Sequence, residues 1–129
     1  MVTGIGIDMI ETKRVEEKIV KESGFREKVF SKNEIAYCES KAHKYEHYAA
    51  RFAAKEAFFK ALGTGWKNGT SFNEIEISNE ESGKPEIVFL SETAKTIKDM
   101  AIGKISVSLS HLKDIAAAVV VIEAPSDPA

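Results

Sequence analysis

A single cysteine, no long apolar run and almost no net charge are what this 129-residue chain does without. Cys38 has no partner for an internal disulfide, so packing alone must hold the fold, and a reducing cytoplasm is the expected compartment. No stretch approaches the roughly 18 to 20 consecutive apolar residues of a membrane helix, so no membrane partner is expected. The first residues, MVTGIGIDMIE, lack the basic start and small-residue cleavage site of a secretory leader. A formal charge of −2 argues against a general nucleic-acid binder, which is usually clearly basic, yet leaves room for a local basic patch. Neither an internal repeat nor a low-complexity segment is found. What is present, 43% hydrophobic and 29% charged residues, is globular composition at the size of one domain. That domain is expected over 1–124, with 125–129 as a frayed tail.

Val2 to Ile10 is apolar and β-branched with interspersed glycines and reads as a strand. Val15, Ile19 and Val20 stand at helical spacing within Thr12 to Glu22; Ser23-Gly24 ends that segment and a short FREKVF follows. Ser31-Lys-Asn-Glu34 is a capping box that opens a new helix. Helical composition continues to Leu62, with a break expected near Lys41 to Lys44 and Gly63 as the stop. Phe72 to Ser78 and Glu86 to Leu90 read as strands around a Ser82-Gly-Lys-Pro85 turn, and Ser91 to Ile102 as a helix. Ile105, Val107 and Leu109 alternate with serines and connect by a short hairpin to a last strand, Ile115 to Glu123. The order β-α-α-α-β-β-α-β-β, with hairpin-paired strands and clustered helices, predicts an α+β domain whose mostly antiparallel sheet packs on a long helix.

Two carboxylates stand in apolar settings. Along the first strand Gly4, Gly6 and Asp8 share one face, and two glycines beside an aspartate leave a floor where a helix or a ligand can come close. Asp8 either ends the strand as a cap or serves a site. In RFAAKEAFFKALGTG (Arg51 to Gly65), Glu56 and Lys60 lie within about 40° of each other on a helix, flanked by Phe52 and Phe59. Arg51 and Lys55 form a separate seam, and Ala54, Ala57, Phe58 and Ala61 invite close packing on the sheet. The Glu56–Lys60 pair is either an ordinary surface ion pair or part of a site. If the glycine face receives this helix, Asp8 and Glu56 approach, and two close carboxylates must share a proton or hold a cation. All-oxygen ligands suit Mg²⁺ with substrate phosphates, and Lys60, Arg51 and Lys55 supply positive charge, which assembles phosphoryl-transfer chemistry.

Weaker signals compete. His43-Lys-Tyr-Glu46-His47 spells H-x-x-E-H, a zinc-hydrolase pattern, but it needs a third protein ligand and a larger scaffold than this chain offers. Gly63-Thr-Gly65 follows a helix instead of opening one, so it lacks the helix N-terminus of a phosphate loop. Ser110-His111 ends a strand, where a lone histidine is either structural or functional. Arg14, Lys18 and Lys21 make a basic stripe on the first helix, read as a solvated face or as a docking strip for an acidic partner.

Taken together, GIGIDMIETKR, RFAAKEAFFKALGTG, SGKP and SLSH, in this order and spacing, resemble the holo-[acyl-carrier-protein] synthase family, the small bacterial type of 4′-phosphopantetheinyl transferase. The similarity spans essentially the whole chain. It implies Mg²⁺-dependent transfer of the phosphopantetheine arm of coenzyme A to a serine of apo-acyl carrier protein in fatty acid biosynthesis, releasing adenosine 3′,5′-bisphosphate. By the same resemblance Asp8 and Glu56 bind the metal, and Lys60 neutralises or protonates the leaving phosphate. Arg51, Gly63 to Gly65, Lys84, Pro85, Ser110 and His111 match positions lining the coenzyme A site. Arg14, Lys18 and Lys21 match the helix that grips the carrier, and the expected assembly is a homotrimer with sites between subunits. Ile10 stands where larger relatives carry a second acid, so the resemblance completes the metal shell with water or Glu11. Phe59 replaces a small residue and is expected to reshape the pocket beside Lys60. A base for the serine is left open between Glu56 and water. Two rival classes remain for experiment: a coenzyme A-binding module without turnover, and an adaptor using only the basic helix.

Overall fold

Strand β1 (Val2–Glu11) sets the architecture through its two faces. A β-carbon at Gly4 would overlap the carbonyl of Ala61, and one at Gly6 the carbonyl of Ala57, so only glycine lets helix α4 (Lys44–Leu62) lie directly on the strand. In this computed structural model, which describes residues 1–65 and 68–126, the remaining elements arrange around that contact. They are α1 (Thr12–Val20), α2 (Phe25–Val29), α3 (Lys32–Glu39), β2 (Ile75–Asn79), β3 (Pro85–Phe89), α5 (Ser91–Asp99), β4 (Ile105–His111) and β5 (Ile115–Glu123). The expected break is present at 40–43, and with the short α2 counted, four helices stand between β1 and β2. Of the expected tail, 127–129 lies outside the described residues.

All pairings are antiparallel. β5 is the centre of a three-stranded sheet in the order β1-β5-β4, and β2 and β3 form a separate hairpin. In β5 the even positions Ala116, Ala118, Val120 and Ile122 are buried under α4, as a half-covered strand requires. Opposite them Ala54, Ala57, Phe58 and Ala61 of α4 close the main core with Ile75 and Ile77 of β2. A second core joins Val15, Phe30, Cys38 and Tyr48 under α1 to α3. Burial pushes the Cys38 thiol up to about 12, which leaves it inert. On the sheet's far side Ile5, Ile7 and Met9 of β1 remain more than 60% exposed.

The capping box of α3 forms as read: Ser31 Oγ accepts from the Glu34 amide, and Glu34 Oε1 accepts from the Ser31 amide at 2.9 Å. Glu34 also reaches across the core. Its Oε1 accepts from Lys55 Nζ at 2.7 Å and its Oε2 from the Ile77 amide at 2.9 Å. Lys55 gives its other hydrogens to the carbonyls of Phe72 and Ile75, at 2.7 and 2.6 Å. Both side chains are fully buried. Burial lowers the Lys55 pKa while Glu34 opposes it, but three oxygens this close are the complement of an ammonium, since a neutral amine has only two hydrogens to give. This charge in the central motif therefore ties α3, α4 and β2 together and is closed to any ligand.

Candidate active site

Asp8 reaches the end of α4 because the two glycines before it bring strand and helix into contact. Lys60 Nζ donates to Asp8 Oδ1 at 2.9 Å and to the Ile7 carbonyl at 3.1 Å, with Lys60 about half exposed and Asp8 16% exposed. One turn earlier on α4, Glu56 faces the same place. Its pKa is raised, first by burial and then by the Asp8 carboxylate, while Lys60 and Lys18 oppose the rise. Asp8, Glu56, Glu11, Arg14, Phe52 and Ile115 are among the residues lining a cleft of about 390 Å³. The two carboxylates read from sequence are thus neighbours with a lysine beside them.

Phe59 behaves differently from expectation. It is 2% exposed and packs on Phe58 and Phe72, with ring centroids 5.7 and 5.2 Å away, so it belongs to the core and is not among the residues that line the cleft. Glu11 lines the cleft and pairs with Arg14 at 3.3 Å. Lys18 leans over the rings of Phe25 and Phe52, at 5.4 and 5.9 Å from their centroids, so this member of the basic stripe is drawn toward the cleft by cation–π contact. Lys21 stays exposed at the end of α1.

Arg51 lies elsewhere. Five residues before Glu56, it is turned by about 140° around the helix. Its guanidinium stacks on Tyr37 at 4.0 Å and its Nη2 donates to Asn79 Oδ1 at 3.1 Å, while Nε is buried without a partner. Asn79 Nδ2 in turn donates to the Gly83 carbonyl at 2.9 Å, which connects Arg51 to the turn carrying Lys84 and Pro85. At the other end of this seam His111 Nδ1 lies 3.0 Å from Glu46 Oε1, and its ring meets His47 at 5.1 Å, with Ser110 exposed beside it. Gly63 and Gly65 take positive φ of 81° and 65° at the end of α4, in open space on both counts. Most of the predicted residues therefore fall into two clusters, Asp8, Glu56 and Lys60 with Arg14 and Lys18, and Arg51, Ser110 and His111 with the 82–85 turn, while Lys21, Gly63 and Gly65 stand outside both.

Sequence reasoning missed Asn79, Tyr37 and His47, which belong to the second cluster. Asn79 stood four residues before Gly83 as an ordinary turn residue, and nothing in its neighbourhood marked it as the partner of Arg51. His47 was visible only inside H-x-x-E-H, where the structure commits Glu46 to His111. Among the described residues no group of three or more His, Cys, Asp or Glu is placed to hold a metal ion. The Asp8–Glu56 pair fits Mg²⁺ none the less, because that ion is commonly held by one or two carboxylates and fills its shell with waters and substrate phosphates.

A carboxylate pair, an adjacent lysine and a separate cationic seam, carried on a small α+β scaffold, suit chemistry on phosphate esters. Comparison with known proteins makes the class specific. The 4′-phosphopantetheinyl transferase superfamily model matches residues 4–120. The holo-[acyl-carrier-protein] synthase of Cytophaga hutchinsonii is 48% identical over 122 residues, covering 93% of this chain and 96% of that protein. The crystal structure of the Neisseria meningitidis holo-[acyl-carrier-protein] synthase superposes with a TM-score of 0.87 at 34% identity, covering 95% of this chain and 99% of that one. A Bacillus anthracis holo-(acyl-carrier-protein) synthase solved in complex with coenzyme A (3′,5′-ADP) superposes with a TM-score of 0.78 at 36% identity, covering 96% of this chain and 98% of that one. The chain belongs to the 4′-phosphopantetheinyl transferase superfamily, in its holo-[acyl-carrier-protein] synthase branch, and is an enzyme of that kind.

Proposed function

We propose that this enzyme transfers the 4′-phosphopantetheine arm of coenzyme A to a serine of apo-acyl carrier protein in a Mg²⁺-dependent reaction, serving fatty acid biosynthesis in the cytoplasm. The observation that carries the reading is the Asp8–Glu56–Lys60 arrangement beside an open cleft, in a chain of this family. Asp8 and Glu56 would hold Mg²⁺, which when bound supplies charge neutralisation of the pyrophosphate. Lys60, anchored on Asp8 and the Ile7 carbonyl, reaches the cleft from the side and offsets charge that grows on the leaving phosphate. Glu56 borders the same space and is placed to receive the serine proton.

Arg51 with the 82–85 turn, His111 with Ser110, and Gly63 to Gly65 supply the nucleotide end of coenzyme A. In one chain the Arg51 and Glu56 seams point about 140° apart, so we place the complete site between two copies. The exposed Ile5–Ile7–Met9 face supports that assembly, read as a homotrimer. Arg14, Lys18 and Lys21 form the docking strip for the acidic carrier, with Arg14 and Lys18 beside the cleft where its serine must arrive.

Mass spectrometry of apo-acyl carrier protein incubated with coenzyme A and Mg²⁺ tests the reading. One phosphopantetheine should be gained per carrier, and Glu56→Gln should slow this by at least ~100-fold while remaining folded. Coenzyme A binding without product would replace the reading with a binding module, and carrier binding without coenzyme A binding with an adaptor.

A further inference from the structure

The cationic seam contains more than nucleotide recognition by one histidine and one arginine requires. Tyr37 meets two cations, Arg51 at 4.0 Å and Lys41 at 4.7 Å from its ring centroid. Its edge meets the His47 ring at 5.7 Å, and His47 meets His111 at 5.1 Å. One phenol ring thus meets a guanidinium, an ammonium and an imidazole, and a second imidazole lies behind the first. Glu46 is the acidic group among them, and its Oε1 is already engaged by His111 Nδ1 at 3.0 Å. Arg51 keeps a buried Nε–H without an acceptor. Such a cluster has surplus positive potential and an unmet donor, which is the complement of a dianion.

His47 is the group in this cluster whose charge its neighbours visibly control. With the site empty its pKa lies below the ordinary histidine value, first through burial, then through His111, Arg51 and Lys41, with Glu46 alone opposing. The groups facing it are Arg51 and Glu46 on α4, Tyr37 and Lys41 from the α3 side, and His111 on β4. A phosphomonoester, which carries close to two negative charges at neutral pH, would reverse the field that keeps this imidazole neutral.

We propose that His47 is a specificity-determining residue of the coenzyme A site: together with His111, Arg51 and Lys41 it receives a terminal phosphomonoester of the nucleotide, and it takes up a proton as that phosphate arrives. The inference rests on the reading of Arg51 and His111 as the nucleotide end of the site. Because a proton is bound with the ligand, affinity for coenzyme A rises as pH falls from 8 toward the empty-site pKa of His47, by at most about tenfold per pH unit for one proton. Dephospho-coenzyme A, which lacks the phosphomonoester, should show neither the uptake nor the pH dependence.

Calorimetric titration in two buffers of different ionisation enthalpy measures proton uptake directly. At pH 7 the wild-type protein should take up a measurable fraction of a proton with coenzyme A and essentially none with dephospho-coenzyme A. His47→Phe and His47→Gln should both lose that uptake and most of the preference between the two ligands. Wild-type protein at pH 8.5, where His47 stays neutral, should behave like the variants, which keeps the test valid if a variant folds poorly. Full uptake retained in either folded variant, or equal uptake with both ligands, overturns the assignment of His47. If transfer to the carrier proceeds while no uptake is found with either ligand, the inference fails and the transferase reading stands. Absence of coenzyme A binding altogether refutes both.

Discussion

Replacing Lys55 by methionine removes one group and strands several. Methionine matches the length of the stem, so the change is chiefly the loss of the ammonium. Glu34, 1% exposed, would keep its charge with the amides of Ser31 and Ile77 as its remaining donors, and the carbonyls of Phe72 and Ile75 would lose theirs. Breaking a buried ion pair on one side costs about 3–5 kcal/mol, because an uncompensated charge stays in the interior. Against a typical domain stability of about 5–15 kcal/mol, that is about a fifth or more of the total. With a urea slope near ~2 kcal/mol/M, the unfolding midpoint should fall by about 2 M. Wild type and variant are compared at one protein concentration, since assembly would couple to stability. Adding Glu34→Gln to the variant removes the stranded charge, so the double variant should lose clearly less than the two single losses summed. A loss below about 1 kcal/mol for Lys55→Met, the scale of an exposed pair, would refute the claim that this lysine is the internal tie between α3, α4 and β2.

The Glu56 carboxyl has a folded pKa above its unfolded value, so the folded state binds more protons between those two values and loses stability as pH rises through that window. Metal-free Glu56→Gln should therefore be more stable than wild type at neutral pH, with the difference vanishing below the unfolded pKa; thermal unfolding against pH checks this, and an unchanged difference across pH would count against it. Mg²⁺ should raise the melting temperature of wild type and leave Asp8→Asn and Glu56→Gln unmoved. Gly6→Ala places a methyl group against the backbone of Ala57 and Ala61, neither of which can yield locally; overpacking of about 1–3 kcal/mol is expected, and α4 must retreat from Asp8, so turnover should fall even where the protein stays folded. Ile7→Asp on the exposed sheet face should leave the fold intact and shift the species seen by sedimentation toward monomer; unchanged sedimentation would remove the sheet face as the subunit contact.

Much of this was legible because the decisive signals are local. The capping box at Ser31, the glycine stop at Gly63 and the two-residue alternation of β1, β4 and β5 each follow from a few neighbouring residues, and each stands where the sequence places it. The approach of Asp8 to Glu56 and Lys60 was also readable, because two glycines on one strand face and small residues on one helix face complement each other. What the sequence concealed depends on distant partners. Nothing near Lys55 reveals that Glu34 and two carbonyls will enclose it, since those groups lie 17 to 21 residues away along the chain. Phe59 was misplaced for a related reason: on a helix covered on several sides, periodicity cannot tell a pocket flank from a core flank, and only the position of Phe72 decides.

Partner satisfaction then separates the charges of α4 by role. A charge on a nearly enclosed helix must be paired, and the partner it finds shows whether anything is left for a ligand. Lys55 has an internal oxygen for every hydrogen, so it can only hold the fold. Lys60 has Asp8 and one carbonyl but is half exposed, so a third hydrogen can turn to solvent or to a phosphate without breaking the pair. Arg51 is anchored by Asn79 and Tyr37, yet retains a buried donor with no acceptor. Glu56 is the least settled of the four: among the described residues no side chain is hydrogen-bonded to it, and burial and Asp8 both disfavour its charge. A group held in that condition on a well-packed helix makes sense when its missing counter-charge arrives with the substrate, and that is the strongest physical argument that the chemistry takes place beside Glu56.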